Sequence, residues 1–337
     1  MTRVVLLHTH LTENPSIDEQ EGFDVAQVIA AELQKMNHEV ILLPFKLNME
    51  ESMNALQQAR PDFVFNLVDD IAGSDSLHFI ASAMLEHAGY NYTGASADIL
   101  FITSHKLLTK RLLHTQGVPT PAWVSVDEAE NFTPGLPYII KPVNHDASIG
   151  IHEDALYTPT SLEDLRQQLT RRKALTGWNH FAEQYITGRE FWVSMLGNTH
   201  EPEIFPPVEM QFSGYLPNQA PQWITYKAKW ERDSFEYKHL GAQFNFEVHE
   251  EPLLQHLKQV ARASWQALHL HGYVRIDLKV DAQGRPWLLE VNVNPYLPFH
   301  PGGFLDAAQH AGWDFPRLLT EILQQNLHQP QPQQNIS

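Results

Sequence analysis

Two periodicities alternate along the first hundred residues. Arg3 to His8 is a short apolar run of strand length, and Phe23 to Met36 sets Phe23, Ala26, Ile29, Ala30 and Leu33 on one helical face. Glu39 to Leu43 and Asp62 to Leu67 are further apolar strands, with helical patterns at Glu50 to Ala59 and Ser76 to Ala88. Strand and helix in alternation predict parallel strands joined by crossover helices.

The pattern changes near residue 100. Lys106 to Gln116 reads as a helix that Gly117, Pro119 and Pro121 stop. Pro137 to Pro142 is a strand carrying Lys141, and Leu162 to Leu169 a short helix. Phe181 to Ile186 and Glu190 to Leu196 are strands about a Thr187–Gly188 turn. Glu251 to Leu270 is the clearest helix, with Leu254, Leu257, Val260, Ala261, Trp265 and Leu268 in one stripe. Val274 to Val280 and Pro286 to Val291 follow as strands about an Asp281–Ala282–Gln283–Gly284 turn. From about His328 the chain is rich in Gln and Pro and is expected to be disordered. The expected organisation is α/β in three lobes: 1–100, 101–187 and 188–327, with 328–337 as a tail.

A length of 337 residues suits two or three packed lobes, and 43% hydrophobic against 19% charged residues excludes global disorder. The 40 acidic residues outnumber 23 basic ones for a net charge of −17, which disfavours nucleic acid and anionic membrane surfaces as partners. With no cysteine there is no disulfide, thiolate metal site or thiol nucleophile. Met1 to His10 does not read as a signal peptide, and no apolar run reaches the length of a spanning helix. A cytoplasmic location is the expectation.

The chemistry concentrates in the two late strands. On Val274–Arg275–Ile276–Asp277–Leu278, Arg275 and Asp277 share a face; on Leu288–Leu289–Glu290–Val291–Asn292, Glu290 and Asn292 do. If the hairpin pairs these faces, two carboxylates and an amide oxygen converge as hard ligands for magnesium, and Arg275 is left to hold an oxyanion. A solvated strand face with ordinary salt bridges is the alternative. Lys279 continues the same face and is placed at its open end.

These residues, with Val293–Asn294–Pro295 after them, resemble the ATP-grasp superfamily, most closely its D-alanine–D-alanine ligase-like branch, over about Asn91 to Ile322. Tyr92–Thr93–Gly94 and Ser104–His105–Lys106–Leu107–Leu108–Thr109–Lys110 are similar to the family's entry to its central domain, and Ile139–Ile140–Lys141–Pro142 to the strand bearing its second ATP lysine. Asp146–Ala147–Ser148–Ile149–Gly150 falls where the family keeps a loop over the phosphates. Glu183–Gln184–Tyr185–Ile186–Thr187–Gly188–Arg189–Glu190 looks like the adenine hinge, and Tyr226–Lys227–Ala228–Lys229–Trp230 like a segment whose lysine approaches the phosphates.

The resemblance implies an ATP-grasp fold with 1–100 as the substrate lobe and 188–327 carrying the metal. It implies ATP with magnesium, two ions in the family's manner or manganese in their place, held by Asp277, Glu290 and Asn292. Lys106, Lys141 and Lys229 would meet the phosphates. Glu183 would accept from the adenine amino group, Tyr185 and Ile186 touch the ring edge, and Glu190 bind ribose. Arg275, Ser148 and Lys229 form the catalytic set. The implied reaction joins a carboxylate to an amine through an acyl-phosphate, with amino acids or small peptides as substrates and a homodimer as the usual assembly.

The substrate pockets depart from that family. His8–Thr9–His10–Leu11–Thr12 replaces a glycine-rich loop, and no residue matches the glutamate that holds the first ammonium. Tyr296 stands for an oxyanion-hole glycine, and Pro301 for the serine that holds the second carboxylate; His300, Gly302 and Gly303 lie close by. Asp69, Asp70 and Arg275 are expected to face the substrate cleft. Among 19 histidines, His8 and His10 are read as capped or solvated. Substrates other than D-alanine are expected. A peptide, protein, thiol or hydroxyl acceptor, or a nucleotide-binding module without catalysis, stand as alternatives.

Overall fold

The computed structural model describes residues 2–145, 148–151, 153–215, 223–298 and 301–325. Asp146, Ala147, His300 and the expected tail at 328–337 lie outside the described residues.

The chain opens with β1 (Arg3–Thr9), α1 (Ile17–Lys35), β2 (Glu39–Phe45), α2 (Met49–Ala59), β3 (Phe63–Leu67) and α3 (Phe79–Ala88). The three strands form a parallel sheet in the order β2-β1-β3, as the alternating pattern predicts. Helix α1 starts at Ile17 rather than Phe23. Ser16 accepts from the Glu19 amide while the Glu19 carboxylate accepts from the Ser16 amide, a capping box that nucleates the helix ahead of its apolar stripe.

Next come α4 (Ala97–Thr103), α5 (Lys106–Thr115), β4 (Trp123–Val124), β5 (Tyr138–Pro142), β6 (Leu156–Tyr157), α6 (Leu162–Thr176) and β7 (His180–Gln184). The strands make a sheet in the order β4-β7-β5-β6. Helix α6 runs past Leu169 because its second half is a solvated polar stretch that apolar periodicity does not reveal. Gly177 ends it at φ 79°.

The third set is β8 (Arg189–Gly197), β9 (Pro202–Ile204), β10 (Val208–Phe212), α7 (Tyr226–Trp230), α8 (Phe235–His239), β11 (Leu240–Gln243), α9 (Glu251–Ala267), β12 (Gly272–Val280), β13 (Pro286–Val293), α10 (Phe304–His310) and α11 (Phe315–Gln325). The main sheet runs β11-β10-β8-β12-β13, with β9 beside β8. One core packs Leu257, Val260, Ala261 and Trp265 of α9 against Val274, Ile276 and Leu278 of β12. Another packs α1 with α10 and α11, and brings Val4 and Phe65 of the first sheet against Leu196 and Tyr273 of the large one. The two sheets are therefore joined through apolar side chains, and the polar face of β12 is held against the first sheet's loops. Among the described residues no helix is long and apolar enough to cross a membrane.

Candidate active site

Strand β12 is buried along its whole length. Val274, Ile276, Leu278 and Val280 enter the core under α9. Arg275, Asp277 and Lys279 therefore share the opposite face, polar yet only 7%, 6% and 2% exposed. A polar strand face so enclosed must find its partners within the protein.

A single extra residue brings the partner strand's chemistry onto that face. From the turn the ladder pairs Val280 with Pro286, Lys279 with Trp287 and Leu278 with Leu288. Continued without a break it would set Glu290 opposite Ile276, facing the core. A bulge between Asp277 and Leu278 skips Leu289, so Glu290 lies opposite Asp277 and Asn292 opposite Arg275. The convergence anticipated from sequence depends on this irregularity.

All but one of the site's buried charges are paired. The Arg275 guanidinium donates to both Asp277 oxygens, at 2.7 and 3.0 Å, and stacks over the Trp192 ring at 4.1 Å. Lys106 Nζ lies 2.7 Å from Glu290 Oε1 and donates to the His145 carbonyl. Lys141 Nζ is 2.5 Å from Glu183 Oε1, while Lys110 pairs with the other Glu183 oxygen and donates to Thr120. Lys279 is not at an open end. It pairs with Glu190 at 3.2 Å and donates to the Gly188 carbonyl, because β8 runs beside β12 and sets Glu190 directly opposite it.

Burial raises the Glu290 carboxyl, but Lys106 and Lys229 outweigh it and hold it at about 2. Burial likewise opposes charge on Glu183, and Lys110 and Lys141 reverse the balance and lower its pKa. Burial works against the Arg275 cation, which Asp277 more than restores. Lys229 is the contrast: burial, then Arg275, lower its pKa.

Two cavities meet along the hairpin. The larger, about 560 Å3, is lined by Asp69, Asp70, Arg275, Asn292, Tyr296 and Lys229 among others. Asp69, Asp70 and Arg275 thus share one cavity. The smaller, about 70 Å3, is lined by Lys141, Ser148, Glu183, Tyr185, Ile186 and Glu190, together with Asp277 and Glu290. These are the residues expected at the nucleotide, gathered into one slot. Ser148, at φ 61°, donates to the Ile224 carbonyl at 3.0 Å and ties the loop to the segment before α7.

Magnesium fits this donor set. Asp277, Glu290 and Asn292 offer two carboxylates and an amide on facing strands, a hard-oxygen set that leaves positions for water and phosphate. A carboxylate has about four lone-pair sites, so Asp277 can hold Arg275 and still ligate. The Asn292 amide nitrogen is buried without a hydrogen-bond partner among the described residues, so no bond on that side fixes which way the amide oxygen turns.

Other residues of the site were not legible from sequence. Asp18 and Glu19 line the larger cavity, brought there by the capped start of α1. The capping-box spacing of Ser16 and Glu19 was a readable signal for that start. Lys110, the second cation on Glu183, and Tyr226, which donates to Asp18 at 2.9 Å, carry no local signal. Tyr296 donates to Asp69 at 3.0 Å across the cavity mouth. Gly22 makes room for it, since a Cβ there would come within 2.5 Å of the Tyr296 hydroxyl. His8 is not solvated: it is 7% exposed, its ring lies tilted against Phe23 with centroids 5.0 Å apart, and burial lowers its pKa.

Comparison with known proteins agrees with this geometry. The family model described as D-ala D-ala ligase C-terminus matches residues 112–324. A D-alanine–D-alanine ligase of Chromohalobacter salexigens is 31% identical over 277 residues, 80% of this chain and 79% of that one. An uncharacterized protein, y4sG, of Sinorhizobium fredii is 30% identical over 306 residues, covering 89% and 86%. The crystal structure of the Bacillus anthracis D-alanine–D-alanine ligase complexed with ATP shares the fold at a TM-score of 0.71 and 20% identity, over 97% of this chain and 98% of that one. The chain belongs to the D-alanine–D-alanine ligase family of ATP-grasp enzymes, ATP-dependent ligases that form an amide bond.

Proposed function

We propose that the protein joins amino acids or small peptides other than a D-alanine pair. The γ-phosphoryl group of ATP passes to the first substrate's carboxylate oxygen and ADP leaves. The second substrate's amine attacks the acyl carbon, phosphate departs with that oxygen, and the amine gives up its proton. Magnesium held by Asp277, Glu290 and Asn292 would supply charge neutralisation for the phosphates. Lys106, Lys141 and Lys229 bind the triphosphate, and Arg275 stabilises negative charge developing at the acyl oxygen. Tyr185 and Ile186 hold the base edge, Glu190 the ribose, and Ser148 the loop above the phosphates. Glu183 orders Lys110 and Lys141 and accepts from the adenine amino group.

The observation that carries this reading is the opposition of Asp277 with Glu290 and of Arg275 with Asn292 where the two cavities meet. Changed substrates are supported by Tyr296, whose hydrogen bond to Asp69 fills the place of the oxyanion-hole glycine, and by Pro301 in place of a carboxylate-binding serine. A cavity of about 560 Å3 is of the size that encloses small molecules and favours them over a protein acceptor.

The test is a panel of amino acids and dipeptides, screened for amine-dependent ADP release with products identified by mass spectrometry. Asp277→Asn and Glu290→Gln should abolish ADP release with unchanged circular dichroism. Ligation retained in either variant with magnesium present would refute the assignment.

A further inference from the structure

The larger cavity is electrically lopsided. Lys229 and Arg275 stand at its hairpin end, beside the residues that would hold the phosphates. Five carboxylates, Asp18, Glu19, Asp69, Asp70 and Asp75, line it from the loops and helix of the first sheet. His145 lies 3.6 Å from Asp75. Arg172 also lines the cavity but is engaged by Asp154 at 2.7 Å.

Three of the acids receive only neutral donors among the described residues. Asp18 accepts from the Tyr226 hydroxyl at 2.9 Å, Glu19 from the Ser16 amide at 2.8 Å, and Asp70 from the Gly73 amide at 3.0 Å. Each of these bonds uses one oxygen of a carboxylate that can accept at both. The crowding is felt: burial first, then Glu19, Asp75 and Asp18, push the Asp70 carboxyl up to about 6.

Lys229 gives an independent sign of a missing ligand. It is 8% exposed, lines both cavities, and has neither a hydrogen bond nor an ion pair on its ammonium among the described residues. The fields of Asp277, Glu290 and Glu190 do not offset its burial and the charge of Arg275, so an anion would stabilise it. A substrate carboxylate at Lys229 and Arg275 puts the α-amino group one carbon away. That single positive charge does not answer the three carboxylates.

On the ligase reading above, we propose that one substrate is dicationic: beyond its α-amino group it bears a second ammonium or guanidinium group, held by Asp18, Glu19 and Asp70. A basic amino acid, or a short peptide with a basic side chain, meets this requirement. Tyr226 orients Asp18, and the start of α1 sets Glu19 beside it.

The experiment uses the full-length protein with ATP and magnesium and compares substrates of matched size: lysine and arginine types, their neutral isosteres, and acidic ones. The basic substrates should exceed the neutral ones by about tenfold or more in kcat/KM, the worth of a charged hydrogen bond. Asp70→Asn and Asp18→Asn should each lower the basic-to-neutral ratio, chiefly through KM for the basic substrate, while KM for ATP stays put. Two substitutions at different elements guard against a folding defect in one. If neutral or acidic substrates are joined as well as basic ones, or the ratio is unmoved in both variants, the dicationic substrate is wrong and the ligase reading stands. If no substrate of any charge releases ADP, both fall.

Discussion

The two cavities differ in how they treat buried acid. Around the smaller cavity, Asp277, Glu290, Glu183 and Glu190 each lie against arginine or lysine, so each of these acids is paired within the folded chain. Around the larger cavity, Asp18, Glu19 and Asp70 face neutral donors and one another's field. The first arrangement is stable before anything binds, because cation and carboxylate meet while both are out of water. The second leaves charge that a ligand must compensate. The same residue type thus supports the fold on one side of the hairpin and opposes it on the other.

The sharpest way to break this contrast is to insert one alanine between Leu289 and Glu290. With the bulge kept at Leu289, the ladder set by the Asp281 turn then puts Glu290 opposite Ile276 and Asn292 opposite Val274, among the side chains of α9. That strips Lys106 of its partner and puts a carboxylate into hydrocarbon. Loss of soluble folded protein is expected, read by expression and thermal unfolding. A folded, active insertion variant would mean the bulge can absorb the extra residue and the parity argument fails.

Next in size is Glu183→Gln. Two lysines would then share a buried space with no anion, a loss of about 3–5 kcal/mol by the behaviour of broken buried pairs. Chemical denaturation measures it. Adding Lys110→Met should recover part of the loss, because the surplus cation goes with it. An unchanged midpoint in Glu183→Gln would show that water already reaches the pair.

How much of this was legible before the fold follows the same division. The hairpin was readable because strand alternation is local: Arg275 with Asp277 and Glu290 with Asn292 declare their faces within three residues of sequence. The bulge was not, because a one-residue slip is decided by cross-strand packing and leaves no mark in composition. Lys279 was misplaced for a related reason, since its partner Glu190 comes from a strand far away in the chain. The parallel sheet of the first lobe followed from alternating periodicities, but the acids of the larger cavity come from a helix cap, a loop and a short turn. Asp69 and Asp70 were noticed as neighbours. Asp18 and Glu19 were hidden because the apolar stripe of α1 begins only at Phe23, and a capped polar turn before it carries no periodic signal.

The smallest effect tests the comparison most directly, through pH. Asp70 ordinarily titrates at 3.8 and in the fold at about 6, so the folded state holds its proton more tightly than the unfolded chain. Its contribution to stability is full below 3.8 and is lost as pH rises through about 6. Glu290 runs the other way. Its ordinary 4.5 falls to about 2, so its contribution is present above 4.5 and is lost as pH falls through about 2. Unfolding free energy measured from pH 3.8 to about 6 should therefore carry a decline with rising pH that Asp70→Asn removes, while the slope of the acid limb below 3.8 is unaffected by that substitution. At neutral pH the Asn variant should be as stable as the parent or slightly more so, the reverse of Glu183→Gln. A variant that is clearly less stable at neutral pH would show that Asp70 is already compensated in the free protein, and the electrical difference between the two cavities would vanish with it.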